Sequence, residues 1–309
     1  MSETAGSFRD PKIFLPFLLI TLIWSSTWIV IKGQLGIVPP VWSVSYRFFI
    51  AGAVMLLLGR LAGASLRLGR GGYVLAVLLG TFQFVVNYSF VYASEIYITS
   101  GLAAVVFALL VAPNAALAWA FFGQRVSGRF ALGSAVAMVG VGLLFVEEIR
   151  AAVTPTADIL RGLVFVLCAV LAASFANVMQ LMPAMRARPV TIMLGWAMLY
   201  GASADALYAL LFIGPPVFDP RPIYWLGLVY LSIVASALAF WLYYRIIRAI
   251  GPARAAYSSV LIPIVAMALS TLFEGYRWSP PAIAGGLLTI AGLLVALRQG
   301  RTARPALVE

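Results

Sequence analysis

Two stretches, FFGQRVSGRFALG at residues 121–133 and FEGYRWSPPAIAG at residues 273–285, decide how this chain is read. At a constant offset of 152 they align Gly123 with Gly275, Arg125 with Arg277, Ser127 with Ser279 and Gly133 with Gly285, and Gly140 with Gly292 continues the match. Upstream, after a slip of two residues, SGLAA from Ser100 parallels IGPARAA from Ile250, and Pro113 parallels Pro263. Coincidence at one offset over such a length marks an internal repeat. The chain is therefore expected to hold two diverged copies of one unit, at residues 13–148 and 160–298.

Each copy is built from apolar runs. Of 309 residues, 63% are hydrophobic and 10% charged, and the mean hydropathy is +1.02. This is the composition of a chain dissolved in lipid. A helix needs about 20 apolar residues to cross about 30 Å of hydrocarbon. Runs of that length recur at about 14–31, 41–59, 72–93, 99–122, 130–147, 162–181, 190–213, 223–244, 253–273 and 280–297. They are too long and continuous for barrel strands, which alternate over about 10 residues. The expected fold class is an all-α integral membrane protein with ten transmembrane helices. The first run follows Arg9 and Lys12 as a signal peptide would. Its apolar core is long, however, and no small-residue cleavage site follows, so it is kept as the first span.

Basic residues in alternate loops test the count. One side collects Arg9, Lys12, Arg60, Arg67, Arg70, Arg125, Arg129, Arg186, Arg188, Arg245, Arg248, Arg254, Arg298, Arg301 and Arg304. The other holds Lys32, Arg150, Arg161, Arg221 and Arg277. Fifteen against five puts both termini in the cytoplasm. Because each copy has five spans, an odd number, the copies enter the membrane in opposite directions. The loop before the fourth span has no Lys or Arg, whereas the loop before the ninth carries Arg245, Arg248 and Arg254. Inverted five-helix repeats are a design of secondary transporters, in which two related halves rock around a central site. The formal net charge of +11 reflects this loop bias and does not point to nucleic acid.

Absences narrow the chemistry. The chain has no His, one Cys (Cys168), and lysine only at positions 12 and 32. A His-ligated metal, a haem and a Ser/His/Asp triad are thereby excluded, and no phosphate loop of the G-x-x-x-x-G-K-[ST] type is present. No cofactor or metal is expected. A membrane-embedded transferase, the rival from another class, would show His or convergent acids near one membrane face. The acids of the outer loop here, Glu147 and Glu148, are adjacent in sequence.

With WSSTWIVIK at residues 24–32, YRFFIAG at 46–52, and the FFGQ and FEGY endings of the fourth and ninth spans, the whole chain resembles the drug/metabolite transporter superfamily. The likeness is to its ten-span type with two EamA repeats, and in particular to bacterial inner-membrane exporters of aromatic and other neutral amino acids. Where that family usually has Gly-Glu, this chain has Gly123-Gln124 and Gly275-Tyr276, with Glu274 displaced by one place. The resemblance implies export by alternating access, and a cavity lined by spans 1, 3, 4, 6, 8 and 9 with spans 5 and 10 as scaffold. A small-molecule substrate and surrounding lipid are the partners it calls for, and a monomer is the expected assembly. Another amphipathic metabolite or drug is the alternative cargo.

Polar residues inside spans mark where that cavity should lie, because an unpartnered polar group in hydrocarbon costs kilocalories. Trp24 and Trp28 share a face of the first span, with Ser25 beside them. In the third span Gln83 and Asn87 share a face, next to Tyr88. The sixth span offers Ser174 and Asn177, and the eighth Ser232 and Ser236. Carboxamides provide donors and acceptors without charge and suit a zwitterion, while the tryptophans provide flat walls for an aromatic side chain. Pro113 and Pro263 are the candidate hinges. Gly133, Gly140, Gly285 and Gly292 are expected to pack helices closely. Tyr92 and Trp241, near span ends, are expected in the interfacial aromatic belt. Arg47 is expected to snorkel to the outer interface. Asp205, in span 7, is the only acid well inside a span, and Glu95 and Glu274 lie at outer ends. The expected cavity thus holds no mid-depth acid, which predicts a carrier able to work without a proton gradient.

Overall fold

The computed structural model describes residues 11–123, 128–151, 155–250, 255, 258–275 and 277–297. Gln124, Arg125, Ser127 and Tyr276 of the repeated motif lie outside these described residues. Among these described residues ten helical spans follow in order. They are α1 (Pro11–Gln34), α2 (Pro40–Leu61), α3 (Gly69–Tyr97), α4 (Ser100–Phe122), α5 (Gly128–Ala151), α6 (Thr156–Met179), α7 (Val190–Phe212), α8 (Pro222–Ala249), α9 (Ser258–Phe273) and α10 (Pro280–Leu297). Among the described residues α1 to α4 and α6 to α8 are long and apolar enough to cross a membrane, and α5 and α10 carry shorter apolar stretches, Ala131–Leu144 and Pro280–Gly292. The chain is an all-α multi-pass membrane protein.

Local chemistry sets the helix ends. Proline opens α2 and α8, where its missing N–H would be unpaired in any case. The repeated glycines end α4 and follow α9, Gly123 at φ 65° and Gly275 at φ 70°. An L side chain is strained in that left-handed conformation, so the motif keeps Gly at both copies.

The packing follows the repeat. α5 lies against α10 and α2 against α7, while α4 meets α9. α3 packs on α6 as α8 packs on α1, and α1 meets α9 as α6 meets α4. Exchanging each helix for its counterpart in the other copy leaves this set of pairs unchanged. In the α5–α10 pair the backbones touch. A Cβ built on Gly140 would stand 2.5 Å from the Gly285 oxygen, and one on Gly292 would stand 2.6 Å from the Gly133 oxygen. Without a hydrophobic drive between helices in lipid, this close approach is what holds the pair.

Among the described residues three spans depart from α-helical winding. α3 widens to a π-helix over Gly80–Val86, and α8 does so over Tyr230–Leu238, its counterpart in the other copy. α4 tightens to a 3₁₀ turn at Ala108–Leu110, just before Pro113. Pro113 cannot donate to the carbonyl four residues back, at Leu109, and its ring crowds that turn. Pro263 lies within α9, which continues through it.

Two sequence expectations need correction here. Arg47 does not snorkel: it is 0% exposed. At its level α2 is enclosed by α3, α7 and α8, and Ser236 and the Tyr88 ring receive the guanidinium. Tyr92 is likewise fully buried, its hydroxyl donating to Gln34 Oε1 at 3.0 Å, so it does not belong to an interfacial belt. Glu95, at the outer end of α3 as the sequence places it, is 0% exposed, because α1, α4 and α6 pack around that part of α3.

Candidate functional site

α1, α3, α4, α6, α8 and α9 surround one cavity, with about 760 Å³ of non-atom space including the part open to solvent. Trp24, Thr27, Trp28 and Ile31 come from α1, and Gln83, Asn87, Tyr88 and Val91 from α3. α4 adds Ala104, Phe107, Ala108 and Leu110, α6 adds Ala173 and Asn177, α8 adds Phe240 and Tyr243, and α9 adds Ser258 and Ile262. The i, i+4 spacing of the α1 and α3 residues keeps each set on one face.

The walls are aromatic. Trp24 meets Tyr243 edge to face with centroids 4.8 Å apart and Phe240 at 5.4 Å, while Trp28 meets Phe107 at 5.5 Å. The Trp24 indole N–H donates to the Ala235 carbonyl at 3.2 Å. Ala235 lies in the π-helical segment of α8. Widening the helix there displaces its carbonyls from regular partners, and one of them orients the tryptophan.

Two polar groups in this apolar setting are unsatisfied. Gln83 and Asn87 are 3% and 2% exposed, and the carbonyl oxygen of each has no hydrogen-bond donor. A buried acceptor left this way costs about 1–3 kcal/mol. Both residues belong to the cavity lining, and neither oxygen has a donor from the protein. Among the described residues the lining carries no acid and no base.

Six of the ten polar and aromatic residues singled out from sequence thus line the cavity: Trp24, Trp28, Gln83, Asn87, Tyr88 and Asn177. Four do not reach it. Ser25, Ser174 and Ser232 donate to the carbonyl four residues back in their own helices, at Thr21, Val170 and Leu228, which satisfies a hydroxyl without any cavity. Ser236 accepts from Arg47 Nε at 2.8 Å. Sequence reasoning missed Thr27, although it stands inside WSSTW, and missed Phe107, Phe240 and Tyr243, which nothing distinguishes in sequence from lipid-facing aromatics. It also missed Asn114, one residue past Pro113, which is 6% exposed with neither amide atom partnered.

Beyond Ile31 and Val91 the cavity is closed by polar ties. Lys32 Nζ donates to the Glu95 carbonyl and to the Ile98 carbonyl, joining α1 to α3. Ser100 donates to Glu274 through its N–H at 3.3 Å and its hydroxyl at 2.5 Å, joining α4 to the end of α9. Gln34 accepts from Tyr92 and donates to the Tyr224 carbonyl at 3.4 Å, bringing in α8. In the other direction the cavity extends to Asn177, near the end of α6, and to Ser258 at the start of α9.

Comparison with known proteins fits this architecture. The chain is 22% identical to the protein PagO of Salmonella typhimurium over 94% of each chain. It is 27% identical to a probable amino-acid metabolite efflux pump of the same organism, over 93% of this chain and 96% of the relative. A protein of known crystal structure shares the fold, with TM-score 0.68 at 20% identity over 91% of this chain and 95% of the other. The model of the EamA-like transporter family matches residues 12–146 and, a second time, residues 160–298, so both copies of the repeat are accounted for and the chain belongs to the EamA-like transporter family.

Proposed function

We propose that this transporter exports amino acids, the aromatic and other neutral ones, across the bacterial inner membrane by alternating access. The observation that carries the reading is the pair of donorless carboxamide oxygens, Gln83 and Asn87, beside Trp24 and Trp28 in one cavity. An ammonium group supplies the donors these oxygens lack, and an aromatic side chain stacks on the tryptophan walls. The name of the efflux-pump relative gives independent support for an amino-acid cargo. The charge bias of the loops supports cytoplasmic termini. In that orientation the polar ties close the outer end and the cavity extends toward the cytoplasm. Export then requires the Lys32, Gln34 and Ser100 ties to part. The two units at residues 13–148 and 160–298 rock against each other, with Pro113 and Pro263 as hinges.

Purified protein in liposomes, assayed with a panel of radiolabelled amino acids, tests the reading. Uptake of phenylalanine, tyrosine or tryptophan in excess over protein-free liposomes is expected. Uptake of none of the panel overturns the amino-acid assignment in favour of another amphipathic metabolite.

A further inference from the structure

Arg47 is a full charge that the cavity described above does not use. It is 0% exposed, and a guanidinium stays ionised in any protein setting. Burying it without an anionic partner costs several kcal/mol. Its direct contacts are neutral ones: Nε donates to Ser236 Oγ at 2.8 Å, and the guanidinium lies 4.5 Å from the centre of the Tyr88 ring and beside the Tyr92 hydroxyl, with Glu95 the carboxyl close enough to act on it through its charge. Nη1 has no acceptor. Tyr88 is part of the cavity wall, so Arg47 stands one aromatic ring behind that wall.

The acids of the bundle are placed otherwise. Glu95 follows Val91, the last cavity residue of α3, by one turn and lies beyond the closed end. Glu274 is taken by Ser100, and Asp205 accepts from Ser89 at 3.4 Å. Lys32, the other cation at this end, points its ammonium to main-chain carbonyls. Among the described residues the lining itself holds no acid or base, and the charge directly against the Tyr88 ring is that of Arg47, with Glu95 farther along α3. In a low-dielectric interior the field of Arg47 reaches across a ring.

We propose that Arg47 makes the cavity selective for a carboxylate, so that its ligands are aromatic acids and amino acids and not aromatic amines. This rests on the reading that the cavity holds the transported molecule. A zwitterion then lies with its ammonium at Gln83 and Asn87 and its carboxylate toward Tyr88. An aromatic acid without an amino group keeps the second interaction and remains a ligand. Arg47 acts through the field and through the ring it stacks on, as a positioning and selectivity residue.

Competition measures this directly. Liposomes containing the protein take up radiolabelled phenylalanine in the presence of phenylacetate or of phenethylamine, which share the ring and differ in charge. The wild type should be inhibited by phenylacetate at a concentration about tenfold or more below that needed for phenethylamine. Arg47→Gln should bring the two inhibition constants together, and Arg47→Lys, which keeps the charge, should hold them apart. A purely structural role would lower uptake without moving their ratio. Equal inhibition of the wild type, an unchanged ratio in Arg47→Gln, or loss of the preference in Arg47→Lys each overturns the proposal. Should Arg47→Gln fail to fold, the wild type and Arg47→Lys still decide. Wild-type protein that takes up no phenylalanine at all refutes the transport reading itself.

Discussion

Adding one methyl group to Gly140 should weaken the α5–α10 pair, whereas adding the same group two residues away should not. The Cβ of Gly140→Ala would stand 2.5 Å from the Gly285 oxygen and 2.5 Å from the Thr289 nitrogen, both main-chain atoms of the partner helix. Carbon contacts sit comfortably at about 3.5–4.0 Å, so the helices must separate by roughly 1 Å along that line. Overpacking of this kind costs about 1–3 kcal/mol, and a rigid backbone neighbour favours the upper half of the range. The gain in helix propensity from Gly to Ala, up to about 1 kcal/mol, offsets part of it. The net expectation for Gly140→Ala is a loss of about 1–2 kcal/mol. Gly142 faces open space, with nothing within 4 Å of its built Cβ. Gly142→Ala should therefore keep the propensity gain alone and be neutral or up to about 1 kcal/mol more stable. Reversible unfolding in mixed micelles, followed by tryptophan fluorescence over a denaturing-detergent titration, gives both values. Equal stability of the two variants would show that the backbones of α5 and α10 are not in contact in the protein, and the packing argument would fall.

Asn87→Ala removes an oxygen that has no protein donor, so its stability should stay within about 0.5 kcal/mol of wild type while phenylalanine uptake drops about 10- to 100-fold, the loss of one hydrogen bond to a charged group. Trp24→Phe keeps a ring but drops the bond to Ala235, and is expected to weaken uptake less than Asn87→Ala; unaltered uptake by both variants would remove these residues from the site. In a chain freed of Cys168, a cysteine at Arg67 should resist an impermeant thiol reagent in intact cells and one at Arg221 should react, and reversed labelling would invert the orientation. Liposomes at equal pH on both sides and zero potential should still fill with substrate to its equilibrium level, since the cavity lining holds no acid among the described residues. Uptake that appears only with an imposed pH difference, and is lost in Asp205→Asn, would refute this and make Asp205 the coupling residue.

The order of the helices and their inverted duplication were legible along the chain, for a physical reason, whereas the six spans that build the cavity were implied by the family resemblance. Crossing lipid forces each span to declare itself by length and apolarity, and the loop charges and the repeated motif glycines fix how the spans relate. The glycine faces of α5 and α10 were readable for the same reason, because helices that touch backbone to backbone tolerate nothing larger. Within a span, however, lipid and protein core are equally apolar, so periodicity tells which residues share a face and not where that face points. Gln83, Asn87 and Trp24 stood out because a carboxamide or an indole N–H has no place against lipid. Ser25, Ser174 and Ser232 misled because a hydroxyl can close on its own helix and is satisfied wherever it sits. Only the folded bundle puts Arg47 behind Tyr88, encloses Glu95, and widens α3 and α8 into matching π-helices. Each of these depends on which neighbours the packing supplies to a charge or a freed carbonyl, and neighbours from distant spans are written in no local stretch of sequence.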